Sequence, residues 1–437
     1  MPVGLEIALA PERLDDGTPE ERACFGLFTI RAGEADLTSG IDYFVSAYRS
    51  GPLVSGYHAA EWFAWNWWRL RYEPRSMASE WWRAHKMNAI GEGYVWPNLT
   101  IFSDGVRTAL LAEPSARPDA KPFRYLGAFP CVLPSGTFEA AVDAFIPRIL
   151  GRLRDQGVGE TNLDQIWRDV LAERANPEEA RRRRLEALLG RDADAVEDNA
   201  IDQLVVDAAS LGERAVEELA AEHARGGTLL TAQALEEIAS GSGGTDVSPR
   251  DAVRLAAGTG PRSGADVPAW QIGADAARAL RAQEHLGGER IPDNRLAELA
   301  GTSVQALRRH APHAPLSFQL DRDPTHARLV LRSRWQAGRR FELARLLAEQ
   351  IVPSPPGRLH TATRAYTYRQ KMQRAFAAEF LSPFAAVDAM LDGDYSAEAQ
   401  ADAAEHFQVS ERTILTLLVN HRRLDREELA EDLGEAA

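Results

Sequence analysis

The sequence has few cysteines and no long hydrophobic run. Its 437 residues include two cysteines, Cys24 and Cys131, which are too few for a disulfide framework and do not form a CxxC pair. No apolar segment approaches the roughly 18 residues that a membrane-spanning helix requires. The first residues lack the basic segment and apolar run of a signal peptide. We therefore expect a cytoplasmic protein without a membrane partner.

The sequence patterns of common catalytic sites are also lacking. The chain has no glycine-rich phosphate loop, no Gly-x-Ser-x-Gly motif and no set of kinase motifs. His310, His313 and His326 have no partnering pattern of acids or cysteines, so we expect each of them to be a surface or capping residue.

Positive charge is scarce overall and concentrated in one segment. The formal net charge of −14 argues against a protein coated with basic surface for nucleic acid. Residues 305–375 nevertheless contain 14 Arg and Lys against 4 Asp and Glu. This segment either forms a phosphate-facing surface or makes salt bridges with the acidic remainder of the protein.

The chain is long for a single hydrophobic core, and its patterns change along its length. Domains of roughly 100 to 200 residues are usual, so two or three are expected. Residues 1–145 mix strand and helix patterns, whereas residues 146–240 form an acidic helical segment. Glycine-rich stretches place a linker at residues 241–266. We expect an α+β protein in which residues 267–395 form a mainly helical domain and residues 396–437 a helix-turn-helix segment.

The N-terminal domain contains both strand and hairpin patterns. Ala23–Ile30 has the composition of a strand, and Tyr94–Leu111 predicts a hairpin that turns at residues 103–105. His58, Glu61 and His85 lie between these elements. They are the candidates for a site if this domain is an enzyme.

Seven of the ten tryptophans lie between residues 62 and 96. Trp62, Trp65 and Trp68 fall near one face of a helix, so we expect them to pack into the core. An aromatic binding groove or a platform on which bases stack is the alternative.

Residues 340–350 have the pattern of a metallopeptidase helix without its metal ligands. The segment reads Arg-Phe-Glu-Leu-Ala-Arg-Leu-Leu-Ala-Glu-Gln. It resembles the active-site helix of the ImmA/IrrE metallopeptidase family, which runs roughly Arg-Phe-Thr-Leu-Ala-His-Glu-Leu-Gly-His. Two histidines four residues apart share one helical face and bind a zinc ion, with the glutamate as general base. Here Arg345 stands at the first histidine, Leu346 at the glutamate and Glu349 at the second histidine.

A second segment extends this resemblance. Residues 374–383 read Arg-Ala-Phe-Ala-Ala-Glu-Phe-Leu-Ser-Pro and resemble the family's second motif, in which a preceding glutamate supplies the third zinc ligand. The matching residues 368–373 contain no acid. The resemblance covers residues 268–437 and implies a degenerate, zincin-like domain.

The missing ligands predict a pseudoenzyme with no metal, no cofactor and no catalytic residue at this helix. Arginine stays protonated and cannot donate a lone pair to zinc, and leucine cannot transfer a proton. A buried guanidinium needs a partner. We therefore expect Arg345 to contact a carboxylate or a backbone carbonyl, with Glu349, one turn later, as the nearest candidate.

The C-terminal segment fits a helix-turn-helix pattern that starts at Gln400. Apolar or small residues stand at the positions where two crossing helices share a core, Ser410 is suited to cap the second helix, and Gln408 replaces the usual turn glycine. The segment either contacts DNA or is a structural or protein-contacting corner. The candidate DNA contacts are Arg412, Thr413, Thr416, Asn420, Arg422 and Arg423.

These observations favour a non-catalytic, ImmA/IrrE-like regulatory or binding protein with a protein partner. The resemblance implies a role in gene regulation or stress response, and an association with mobile elements or phage defence. Three alternatives stay open. They are a sequence-specific DNA-binding transcriptional regulator acting through residues 400–423, an enzyme with its site in the N-terminal domain, and a structural subunit of a defence or nucleoprotein complex.

Overall fold

The structure is a computed structural model, and the chain in it is α+β with two compact units. Unit 1 comprises Met1–Asp202 and His223–Gly226, and unit 2 comprises Gln203–Glu222 and Gly227–Ala437. The residues that the structure describes are 4–76, 80–116, 122–195, 198–262, 264–353 and 355–425.

Unit 1 contains small antiparallel sheets. Its strands are β1 (Leu5–Pro11), β2 (Phe25–Ala32), β3 (Ala35–Asp36), β4 (Gly40–Asp42), β5 (Ala47–Arg49), β6 (Leu53–Ser55), β7 (Leu99–Ser103), β8 (Arg107–Ala112), β9 (Phe123–Tyr125) and β10 (Phe129–Pro134). Strand β2 pairs with β1, β3 and β6, while β8 pairs with β7 and β10, and β4 with β5 and β9. The predicted hairpin is confirmed as β7 and β8. Gly105 in its turn has a φ of +95°, which favours glycine.

Helices pack against these sheets. They are α1 (Pro19–Cys24), α2 (Gly56–Trp65), α3 (Trp67–Tyr72), α4 (Trp81–His85), α5 (Ser135–Asp155), α6 (Asn162–Ala175) and α7 (Pro177–Leu188), with a 3₁₀ turn at Met87–Ala89. The strand expected at Ala23–Ile30 begins at Phe25, because α1 extends to Cys24. Thr18 starts that helix with a capping box: its hydroxyl accepts a hydrogen bond from the Glu21 backbone at 3.2 Å.

The tryptophan cluster forms the core of unit 1 only in part. Trp62 and Trp68 are buried as expected, but Trp65 is 64% exposed. The prediction for Trp65 was wrong because α2 ends at this residue and α3 begins at Trp67, so the three side chains do not follow one continuous helix. The remaining buried tryptophans of this core are Trp67, Trp96 and Trp167.

Unit 2 has one four-stranded antiparallel sheet among its described residues. The strands are β11 (Thr245–Val247), β12 (Ser317–Asp323), β13 (His326–Val330) and β14 (Leu359–Ala362), in the order β11-β13-β12-β14. The expected linker at 241–266 therefore contains a paired strand of unit 2 instead of separating two domains.

The remaining helices belong to unit 2, except that residues 198–202 at the start of the first and His223 at the end of the second belong to unit 1. They are α8 (Asp198–Leu211), α9 (Glu213–His223), α10 (Ala232–Ser240), α11 (Ala269–Gln283), α12 (Asp293–Leu299), α13 (Gln305–Arg308), α14 (Gln336–Ile351), α15 (Tyr368–Leu381), α16 (Phe384–Leu391), α17 (Ala397–Phe407) and α18 (Glu411–Asn420). Gly273 lets α11 approach α15 closely, since a Cβ at this position would lie 2.2 Å from the Met372 carbonyl oxygen. Residues 203–222 belong to unit 2, so the segment expected at 146–240 divides between the units.

Candidate functional site

Helix α14 contains the three positions of the degenerate peptidase motif and is buried along most of its length. It packs against α15 and against strands β12 and β14. Leu346 is 2% exposed and lies in the hydrophobic core, while Arg345 and Glu349 are buried beside it. Two charged side chains thus lie inside the unit, where each needs partners to offset the loss of hydration.

Arg345 is held by α15 and the segment before it. Its Nη2 donates to the Thr363 carbonyl oxygen at 2.5 Å and also to the Gln370 side-chain oxygen. Burial, with the nearby Arg374 cation, lowers the pKa of Arg345 to about 9. The expected backbone carbonyl is present, but Glu349 is not the partner that the spacing along the helix suggested.

Glu349 instead binds side chains of α15. Arg369 Nε donates to Glu349 Oε1 at 2.6 Å, and Gln373 Nε2 donates to the same oxygen at 2.5 Å. Both donors come from another helix, so spacing along α14 did not reveal them. We name Arg345, Glu349, Arg369, Gln370 and Gln373 the Arg345 cluster.

Helix α9 adds two buried carboxylates that sequence reasoning assigned to a separate acidic segment. Thr367 Oγ1 donates to both Glu218 oxygens, at 2.7 and 2.9 Å, and Arg364 Nε donates to Glu222 at 2.8 Å. Burial raises the pKa of Glu218. One feature of the sequence could have indicated this burial. Glu218 and Glu222 are four residues apart and lie on the same helical face as the apolar Ala215 and Leu219.

The arrangement offers no metal site. Among the described residues, no group of three or more His, Cys, Asp or Glu side chains lies close enough together to hold a metal ion. Glu349 is occupied by Arg369 and Gln373, and Leu346 has no group that exchanges a proton. The side chains of the Arg345 cluster therefore bind one another. None of them is left as a general base beside a set of metal ligands.

Helices α17 and α18 form a compact corner joined by a short turn. Gln408 has φ 55° and ψ 47°, the left-handed conformation for which a glycine was expected. Ser410 caps α18 by accepting from the Thr413 backbone at 3.2 Å. Ile414 and Leu417 are buried in the shared core.

The candidate DNA contacts are only partly accessible. Arg412, Asn420 and Arg422 are exposed, and Thr416 is half-buried with its hydroxyl donating to the Arg412 carbonyl at 2.7 Å. Thr413 is buried, so it does not present its side chain to a groove as expected.

The basic end of α18 is tied to α16. Arg423 donates two hydrogen bonds to Asp388, at 3.0 and 2.7 Å, and this pairing compensates its charge. The His421 ring stacks on Phe384 with ring centroids 3.6 Å apart, and burial lowers its pKa. Arg423 and His421 therefore contact α16, whereas Arg412 and Arg422 remain exposed.

The candidate residues of unit 1 do not form a single site. His58 Nε2 lies 3.3 Å from Glu21, whereas Glu61 binds the Tyr57 hydroxyl at 3.2 Å. His85 is fully buried in a different network, with Nε2 2.9 Å from Glu73 and Nδ1 donating to a backbone carbonyl. The geometry therefore does not unite the residues of the proposed enzyme site.

His310, His313 and His326 are exposed, as the sequence predicted. No helix of the described chain has the length and apolar character needed to cross a membrane. Comparison with known proteins found no matching family model, no matching curated protein and no matching solved structure.

Proposed function

We propose that this chain is a non-hydrolytic regulatory or binding protein of the ImmA/IrrE-like type, with a protein partner. The observation that carries the proposal is the engagement of Arg345 and Glu349 by neighbouring side chains and a carbonyl, at two of the positions where the resemblance places zinc ligands. A role in stress response, at mobile elements or in phage defence follows from the same resemblance and belongs to the proposal.

The geometry supports a change from metal binding to internal pairing. In a zincin-like site, ligands from one helix and a following helix converge on the metal. Here α14 and α15 place side chains in contact: Glu349 with Gln373, and Arg345 with Gln370. A guanidinium and its acceptors occupy this interior, and neither a zinc ion nor a nucleophilic water has ligands there.

Metal analysis followed by restoration of the motif tests this proposal. We expect the purified protein to contain no stoichiometric zinc and to cleave no peptide. The variant Arg345→His, Leu346→Glu, Glu349→His should gain zinc affinity when combined with Gln370→Glu or Gln373→Glu. One tightly held zinc per wild-type chain, or no gain in any restored variant that folds, would contradict the pseudoenzyme proposal.

DNA binding through α17 and α18 is the second candidate. Its support is a stripe on α18, where Arg412, Thr416 and Asn420 follow one another at intervals of four residues; Arg412 and Asn420 are exposed and Thr416 is half-buried. The nearby exposed charges are mostly acidic and oppose a phosphate backbone. These acids are Glu398, Asp402, Glu405 and Glu411.

Charge therefore favours a protein contact over DNA at this corner. A titration with duplex DNA at about 50 mM salt, where phosphate contacts are strongest, decides between them. We expect no binding. Salt-dependent binding that weakens in Arg412→Ala and Arg422→Ala would favour DNA recognition over a protein contact.

A further inference from the structure

An open cavity of about 680 Å³ lies at the amino end of α14, away from the Arg345 cluster. Its walls come from α12, α13 and the first turn of α14. This volume lies within the range of small-molecule sites. The lining side chains used below are Asp293, Arg308, Gln336 and Arg339.

Arg339 is the side chain that gives this cavity a built cationic wall. It is 8% exposed and is fixed by backbone carbonyls: Nε donates to Leu307 at 2.6 Å, and Nη1 to Ser333 at 3.0 Å and Arg334 at 2.7 Å. Within the described chain, Nη2 has no hydrogen-bond partner. A buried, rigid guanidinium thus lines the cavity with one nitrogen still free to donate.

Among the described residues that line this cavity, Asp293 is the one acid, and its charge is already compensated. Asp293 accepts a hydrogen bond from Arg340 on one oxygen and from Gln336 Nε2 on the other, at 2.5 Å. Arg308, on α13, is exposed and also lines the cavity. The local balance is therefore positive, and it favours an anion.

The start of α14 adds to this preference. Gln336 is its first residue and lines the cavity, and the first turn contains no acid. The amino end of a helix carries a partial positive charge. Trp335, immediately before it, is 65% exposed, with the Arg334 guanidinium 4.7 Å from its ring centroid. Trp335 does not line the cavity, but its exposed indole belongs to the residue next to the lining Gln336.

We propose that this cavity binds a small phosphorylated molecule, with the phosphate between Arg308 and Arg339. A guanidinium pair matches the geometry and charge of a phosphate. The indole of Trp335 provides a surface on which a base of a nucleotide stacks. This binding site is independent of the pseudoenzyme proposal, since it uses none of the residues of the Arg345 cluster.

Calorimetric titration of the full chain tests the site with inorganic phosphate, ribose 5-phosphate and AMP as probes. We expect ribose 5-phosphate or AMP to bind, with affinity that falls as salt is raised. Arg308→Ala should weaken that binding about tenfold, which is one lost charged hydrogen bond. Arg309→Ala is the matched control, because Arg309 is an exposed neighbour that does not line the cavity.

The variant Trp335→Ala distinguishes a nucleotide from a sugar phosphate as the ligand. A nucleotide site predicts that AMP binds more tightly than ribose 5-phosphate, and that this variant removes the difference. A sugar phosphate site predicts equal affinities and no effect of the variant. The proposal is overturned if none of the probes binds at millimolar concentration, or if Arg308→Ala and Arg309→Ala have the same effect.

Discussion

Each unit buries an ionic cluster, and the two clusters differ in how completely their polar atoms are bonded. In unit 1, the His85 cluster consists of the buried Arg69, Glu73 and His85 together with Asp192, whose side chain is 52% exposed. One Glu73 oxygen accepts from Arg69 at 2.7 Å and lies 2.9 Å from His85, while Arg69 also donates to Asp192 at 2.8 Å. Both ring nitrogens of His85 face acceptors.

The Arg345 cluster in unit 2 is less complete. Arg345 Nε and Gln373 Oε1 are buried without a hydrogen-bond partner among the described residues. Burial lowers the pKa of Arg345. For Arg69 the effect of burial is outweighed by the hydrogen bonds that it donates to Glu73 and Asp192 and by their negative charges, so its pKa rises. A fully bonded cluster rigidifies a core, while an incomplete one gains less from its charges.

The largest expected effect is the loss of Glu73. Glu73→Leu leaves Arg69 and His85 buried without their shared carboxylate, so it should lower the free energy of unfolding of unit 1 by about 3 to 5 kcal/mol. Denaturant unfolding followed by tryptophan fluorescence measures this, because eight of the ten tryptophans belong to unit 1. Glu80→Leu is the control at an exposed acid; equal losses in the two variants would contradict a special role of the His85 cluster.

Glu349 provides the corresponding test in unit 2. Glu349→Leu should lower the free energy of unfolding of unit 2 by about 3 kcal/mol, because Arg369, whose side chain is only 14% exposed, loses the carboxylate to which it donates. Adding Arg369→Met should restore stability to within about 1 kcal/mol of the wild type, since an apolar pair avoids the desolvation of both charges. Hydrogen exchange of α14 is the measurement. If the double variant is as unstable as Glu349→Leu alone, the attraction within the ion pair exceeds the desolvation cost of its two charges.

Alkaline pH should destabilise unit 1 through its tyrosines. Burial, aided by Glu61 and Glu21, raises the pKa of Tyr57 and Tyr94 from 10 to about 12. The unfolded chain releases these protons first as pH rises, so their contribution to stability is present below pH 10 and is lost between about pH 10 and 12. Unfolding of the Tyr57→Phe, Tyr94→Phe variant should depend less on pH over this window; an unchanged slope contradicts the assignment.

The smallest expected effect is Arg345→Met. Removing this buried cation relieves its desolvation cost, and that gain roughly offsets the free energy of the hydrogen bonds that are lost. The free energy of unfolding of unit 2 should therefore change by about 1 kcal/mol or less. Arg69→Met, the matched change in the fully bonded cluster, should cost at least about 3 kcal/mol. Similar losses in both variants would remove the distinction between the clusters.

Local patterns predicted much of the fold. The helical pattern of residues 146–240 indicated α6 and α7, the resemblance of residues 340–350 to a peptidase helix indicated α14, and turn residues indicated the hairpin of β7 and β8. The division into units was harder to predict, because α9 has the composition of an acidic surface helix but buries Glu218 and Glu222 in unit 2. The burial of these carboxylates depends on partners that are distant in sequence, Thr367 for Glu218 and Arg364 for Glu222.

The sequence by itself determined that α14 lacks a histidine at positions 345 and 349 and a proton-transferring side chain at position 346, because this depends on residue chemistry alone. It also determined the cap at Ser410, which is a local hydrogen bond. Only the tertiary structure decided that Arg345 pairs with Thr363 and Gln370 and that Arg423 is held by Asp388. These contacts join separate elements, and the geometry that selects one acceptor among many exists only once those elements pack.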